Sequence, residues 1–182
     1  MSSIIKVNTF QDANGNALFS SDGSGNVTTS ATGLQNTPAF MARLSSTQSL
    51  TNGTNTKIQF DTEEYDTGSV YDNSTNYRFT VPSGGAGKYV IYYNILLDGN
   101  AVNQLVRVDG MIYKNGSIIA HDRIDPRSSA GTKFTVGRSM TLDLSVADYI
   151  EIYGFANSGS TPDVQVDNTY DNIFGAYRII GA

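Results

Sequence analysis

The stretch Tyr89-Val90-Ile91-Tyr92-Tyr93-Asn94-Ile95-Leu96-Leu97 constrains the fold more than any other part of the chain. Side chains of a strand point alternately to its two sides, so a strand with one wet face carries one polar set. Here the odd-numbered set is Tyr, Ile, Tyr, Ile, Leu and the even-numbered set is Val, Tyr, Asn, Leu. Both sides therefore require cover. The run 149–155 behaves similarly, with Ile150 and Ile152 on one side and Tyr149, Tyr153 and Phe155 on the other. A two-layer sandwich covers one side of each sheet. The second cover is expected from a neighbouring subunit, with an N-terminal segment of the same chain as the alternative. Tyr89, Tyr92, Tyr93, Tyr153 and Phe155 are the expected contacts between subunits.

Other strand-like runs surround this one, at 39–44, 57–61, 77–81, 105–114, 117–124, 133–144 and 173–180. Turn signals separate them, notably Asn52-Gly53 and Asn115-Gly116, because Asn and Gly tolerate the positive φ of tight hairpins. The pattern predicts an all-β sandwich of about nine strands with no helix, spanning residues 37–182.

Residues 1–36 differ in texture. Ile4 to Phe10 reads as a short strand, and Asn14-Gly15 and Asp22-Gly23 read as turns, with Ala17-Leu18-Phe19 and Val27-Thr28-Thr29 between and after them. Strands so short cannot bury enough surface to fold alone. An extended arm is expected, one that becomes ordered against a partner, with Ile4, Ile5, Val7 and Phe10 as its anchoring residues. Asp12-Ala-Asn14-Gly-Asn16 and Asp22-Gly-Ser24-Gly-Asn26 share oxygen-rich spacing with the start of a calcium loop. Both lack the sixth-position Gly and the twelfth-position Glu of an EF-hand, so turn formation is the better account.

Charge and composition exclude several functions. Twelve Lys and Arg stand against seventeen Asp and Glu, a net charge of −5 with no basic run, which disfavours nucleic acid as a partner. With no Cys, disulfides and thiolate metal sites are excluded. The N-terminus lacks the pattern of a secretory signal and no stretch approaches a membrane span, so a soluble product of a cytoplasm, with no membrane partner, is expected.

From Pro38 onward the chain resembles the C1q/TNF-like jelly-roll family, whose members form compact trimers. The resemblance rests on ordered motifs: Ala39-Phe40-x-Ala42, Tyr71-Asp72, Phe79-Thr80-Val81-Pro82, Gly87-x-Tyr89, Asn115-Gly116, Leu142-x-Leu144, Ala147-Asp148-Tyr149-Ile150 and Phe174-Gly175-Ala176. Ala147 stands where the family has a turn glycine, which implies either negative φ or modest strain there. Gly175 comes one position early. Collagen-like repeats are absent. The opening Ile5-Lys6-Val7-Asn8-Thr9-Phe10-Gln11-Asp12 is similar to the start of structural proteins of tailed bacteriophages, which implies a virion component.

Chemistry finds little support. The single histidine, His121, precedes Asp122, and neighbours on a strand point to opposite faces, so the two are not expected to pair as base and orienter. Glu63, Glu64, Asp163, Asp167 and Asp171 read as solvated loop carboxylates. The run 84–88 leads into a strand, whereas a phosphate-binding loop opens a helix. No catalytic residue, metal or cofactor is expected.

The resulting expectation is a C1q/TNF-like jelly roll forming a homotrimeric capsid decoration or cement protein. Its arm would bind the major capsid protein or another virion protein. The alternative is the receptor-binding head of a short tail or head fibre, taking a host surface glycan.

Overall fold

A computed structural model describes residues 7–29, 36–126 and 129–179, and every regular element among them is a strand. In the arm these are β1 (Thr9–Gln11), β2 (Ala17–Ser21) and β3 (Val27–Thr29). The shorter strands of the main body are β4 (Ala39–Arg43), β5 (Gln48–Ser49), β6 (Thr56–Lys57), β7 (Thr62–Thr67), β8 (Tyr71–Asp72) and β9 (Arg78–Thr80). The long ones are β10 (Gly87–Asp98), β11 (Leu105–Lys114), β12 (Ser117–Ile124), β13 (Lys133–Leu144) and β14 (Tyr149–Ser158), followed by β15 (Asp163–Val164) and β16 (Ile173–Arg178).

Two sheets face each other, as the alternation predicts. One has seven strands in the order β5-β15-β10-β16-β4-β7, with β13 along the other side of β10; the second has six, β12-β11-β14-β9-β8, with β6 added to β14. The arm strands pair only among themselves, in a separate three-stranded sheet. Ile4 and Ile5 lie outside the described residues.

The core forms where the inward rows meet. Tyr89, Ile91, Tyr93, Ile95 and Leu97 of β10 are all buried. They face Val108, Ile112, Ile150 and Ile152 of the opposite sheet within one continuous cluster. At one end the sequence motifs converge: Phe40 stacks on Tyr71 at 4.7 Å and meets Phe174 edge-on at 5.0 Å, while Phe79 packs against Tyr89 at 5.4 Å. Aromatic pairs at such distances add about 0.5–1.5 kcal/mol each beyond their buried area. The buried Tyr89 hydroxyl donates to the Gly85 carbonyl at 2.5 Å, so the core contains that ring without leaving a polar atom bare.

Several local expectations meet their physical reasons here. Asn115 and Gly116 both have positive φ, 51° and 78°, as a two-residue primed turn between β11 and β12 demands. Ala147 takes the strained alternative, with φ of 68°. The loop carboxylates of the arm close turns: Asp12 accepts from the backbone and side-chain nitrogens of Asn16, and Asp22 does the same with Asn26. The run 57–61 is a strand only at Lys57; beyond it, Gln59 donates its backbone N–H to the side chain of Gln48 instead of a ladder. The strand β7 was not anticipated, because Glu63-Glu64-Tyr65-Asp66 offers no apolar alternation.

Candidate interaction faces

With the inward rows of the sandwich satisfied, the outward rows decide what the chain can bind. On the seven-stranded sheet the outer row of β10 runs from Lys88, opposite Asp143 of β13, through Val90, Tyr92, Asn94 and Leu96 to Asp98. Register places Tyr177 of β16 beside Val90 and Gly175 beside Tyr92; Met41 of β4 lies beyond Gly175, and Tyr65 of β7 beyond Met41. The tip of the Tyr92 side chain, its Cζ and hydroxyl, stands over Gly175, leaving no room for a Cβ there. Burial, then the proximity of Tyr65, raises the Tyr92 phenol above its ordinary range. Three tyrosines, themselves uncharged, thus gather across β7, β10 and β16, with Lys88 and Asp143 at one end of the face. An ion pair, Arg43 with Glu64 at 2.5 Å, stands at its flank. Tyr65 and Tyr177 are substantially exposed.

The outer side of the six-stranded sheet has different chemistry. Tyr113 and Tyr153 pack with ring centroids 4.1 Å apart, and the Arg107 guanidinium lies 4.4 Å over the Phe155 ring. Lys57 reaches Glu151 at 2.5 Å. At the centre sits Asp109, 0 % exposed, gripped by Arg107 and by Arg123 at 2.8 Å, with His121 at 3.2 Å. Burial pushes the Asp109 carboxyl up, but hydrogen bonds from Arg107, Arg123 and His121 outweigh it and hold the group below its usual range. Asp122 points the other way, accepting from the Tyr93 hydroxyl at 2.6 Å and from Arg138 at 2.5 Å. His121 and Asp122 therefore serve opposite faces, as strand geometry requires, and form no base–orienter pair. Among the described residues no cluster of His, Asp and Glu is arranged to hold a metal ion.

Placement separates the five residues expected between subunits. Tyr89 and Tyr93 are 0 % and 3 % exposed inside the sandwich, so the odd-numbered row of β10 is covered by the chain's own second sheet. Tyr153 and Phe155 lie on the six-stranded sheet, where Tyr113, Lys57 and Arg107 already rest on their rings. Only Tyr92 belongs to the outward tyrosine group of the seven-stranded sheet. Its companions Tyr65 and Tyr177 were missed. Tyr177 shows in the alternation Phe174, Ala176 inward and Gly175, Tyr177 outward; Tyr65 sits in a polar segment and leaves no such signal.

The architecture has counterparts among solved structures. The globular domain of zebrafish complement 1qA superposes with a TM-score of 0.54 at 15% identity, covering 78% of this chain and 97% of that one. Murine APRIL, at pH 5.0, superposes with a TM-score of 0.56 at 12% identity, covering 78% and 98%. The structure of murine APRIL at pH 8.0 gives 0.55 at 9% identity, again over 78% and 98%. No family model and no curated protein matches the sequence. At these identities the likeness defines the fold, a C1q/TNF-like jelly roll.

Proposed function

We propose that this chain is a non-enzymatic structural protein that assembles as a homotrimer through the Tyr65–Tyr92–Tyr177 face. The observation that carries this reading is the half-exposed, uncharged tyrosine row on a sheet whose other side is already the core. An apolar patch of this kind on a folded body calls for a protein partner, and a closed ring of identical copies is the simplest one that covers it in every subunit. In this reading the trimer decorates or cements a virus shell, assembled in the host cytoplasm, with the arm attaching it to the major capsid protein or another virion protein. The phage-like opening of the sequence supports that location, and Val7 lies exposed in the arm as an anchor requires.

A second reading, the receptor-binding head of a short fibre, draws on the other sheet. Arg123, half-exposed beside Asp109, would remain accessible there to a host surface glycan. The test is attachment. Particles lacking this component are mixed with the full chain or with a chain lacking residues 1–36, and co-sedimentation is measured. The proposal expects binding by the full chain only. Equal binding by both would remove the arm from its role, and binding of neither to particles but of both to host cells would favour the fibre head.

A further inference from the structure

The arm carries a feature that attachment does not explain. Its two turns are copies of one another, ten residues apart. Asp12 accepts from the backbone N–H of Asn14 at 2.9 Å, the backbone N–H of Asn16 at 2.9 Å and the Asn16 side chain at 2.8 Å. Asp22 accepts from the backbone N–H groups of Ser24 at 2.7 Å and Asn26 at 3.2 Å and from the Asn26 side chain at 2.6 Å. Gly15 and Gly25, each three residues after its Asp, both take positive φ, 84° and 94°. The arm is thus a tandem unit of turn and strand.

The strands give this sheet two unlike sides. Phe10 pairs directly with Phe19, Phe19 with Thr29, and Val27 follows two residues before Thr29, so Phe10, Phe19 and Val27 share one side. On the other, Ser20 and Thr28 hydrogen-bond to each other at 2.6 Å. Phe10 is 57% and Val27 67% exposed. Three strands of this length have no second layer to bury that row. The two charged groups of the described arm, Asp12 and Asp22, are held in the turns, so nothing on the apolar side repels an identical surface. The arm also leads through residues 30–38 into β4, a strand of the sheet that bears the tyrosine face. In a trimer closed by that face, three arms are tethered together at an effective concentration of about millimolar order.

We infer that the Phe10–Phe19–Val27 sides of the three arms pack against one another, making a threefold stalk below the jelly rolls. The occupant of the apolar side is a second copy of the same arm, and attachment to other virion proteins falls to the strand edges and outer side. This inference rests on the trimer reading. The chain has no cysteine, so single thiols report cleanly. Full-length Val27→Cys and, on the opposite side, Thr28→Cys are oxidised under mild conditions and run on denaturing gels, with sedimentation recorded in parallel. The stalk predicts that Val27→Cys forms cross-linked dimers at least tenfold faster than Thr28→Cys, at a rate independent of protein concentration. Its yield should level off near roughly two-thirds of the chains, since an odd copy is left in each trimer. Trimers in which the two variants cross-link equally slowly would overturn the stalk and leave the trimer standing. A monomer in sedimentation would overturn the trimer reading itself, and the stalk with it.

Discussion

Gly175→Ala probes the tyrosine face without adding charge or altering a surface residue. Gly175 has an ordinary strand conformation, so alanine meets no backbone penalty there. The obstacle is space: its Cβ would overlap the Tyr92 ring and come within 2.9 Å of the Phe40 carbonyl oxygen. The ring can swing outward, but the carbonyl belongs to β4 and is fixed by the ladder to β16. Overpacking that flexible side chains relieve only in part costs about 1–3 kcal/mol. With one obstacle movable and one fixed, about 2 kcal/mol is expected, a fall in Tm of roughly 4–8 °C for a chain of this size. Displacing Tyr92 also spoils the shape of the face, so trimers should dissociate at higher protein concentration. The assay is thermal unfolding at fixed protomer concentration, because assembly itself raises Tm, together with sedimentation over a dilution series. A companion Tyr92→Ala chain separates the causes: in that background Gly175→Ala should lose much of its effect. A Tm unchanged within about 1 °C and an unaltered dilution profile would refute the packing of Tyr92 on Gly175.

Ala147→Gly should stabilise the fold by about 0.5–1 kcal/mol, read by denaturant unfolding, because φ of 68° strains a residue with a Cβ and is free for glycine; destabilisation would mean that the methyl group packs usefully. Asp163→Asn should also stabilise, by about 1 kcal/mol near pH 7: Asp163 is a buried residue of β15 and not the solvated loop carboxylate expected from the sequence, and its Oδ1 has no partner among the described residues. Burial, and then Asp98, raise the Asp163 pKa while the Asn100 hydrogen bond lowers it. The folded state thus binds this proton more tightly than the unfolded one, and the native carboxylate progressively weakens the fold as pH rises from the ordinary carboxylate range through its raised pKa. The gain from asparagine should shrink as pH falls through that range, and a gain constant from pH 3 to 7 would contradict the account.

The fold was legible because its determinants are local and periodic. Phe40, Tyr71, Phe79, Tyr89 and Phe174 sit at strand positions whose alternation is plain in the sequence, and the structure gathers them into one aromatic cluster. The interaction faces were half legible. Two apolar rows on β10 announce two covers, but alternation does not say which row meets the second sheet, and so Tyr89 and Tyr93 stood equal with Tyr92 until the layers were assembled. Tyr65 was hidden because β7 owes its place to pairing with β4 and not to its own pattern. The network around Asp109 was invisible for a related reason. Arg107, Asp109, His121 and Arg123 come from two strands and meet only through the register of β11 with β12.

The claim that the tyrosine face closes a trimer is tested most directly by sedimentation of the full chain at micromolar concentration, alone and as Tyr92→Asp. The account predicts a wild-type particle of three times the 19.6 kDa chain mass. It predicts monomers for Tyr92→Asp, because a carboxylate in that row would be buried without a partner on association. A wild-type monomer, or a Tyr92→Asp trimer as resistant to dilution as the wild type, would contradict it.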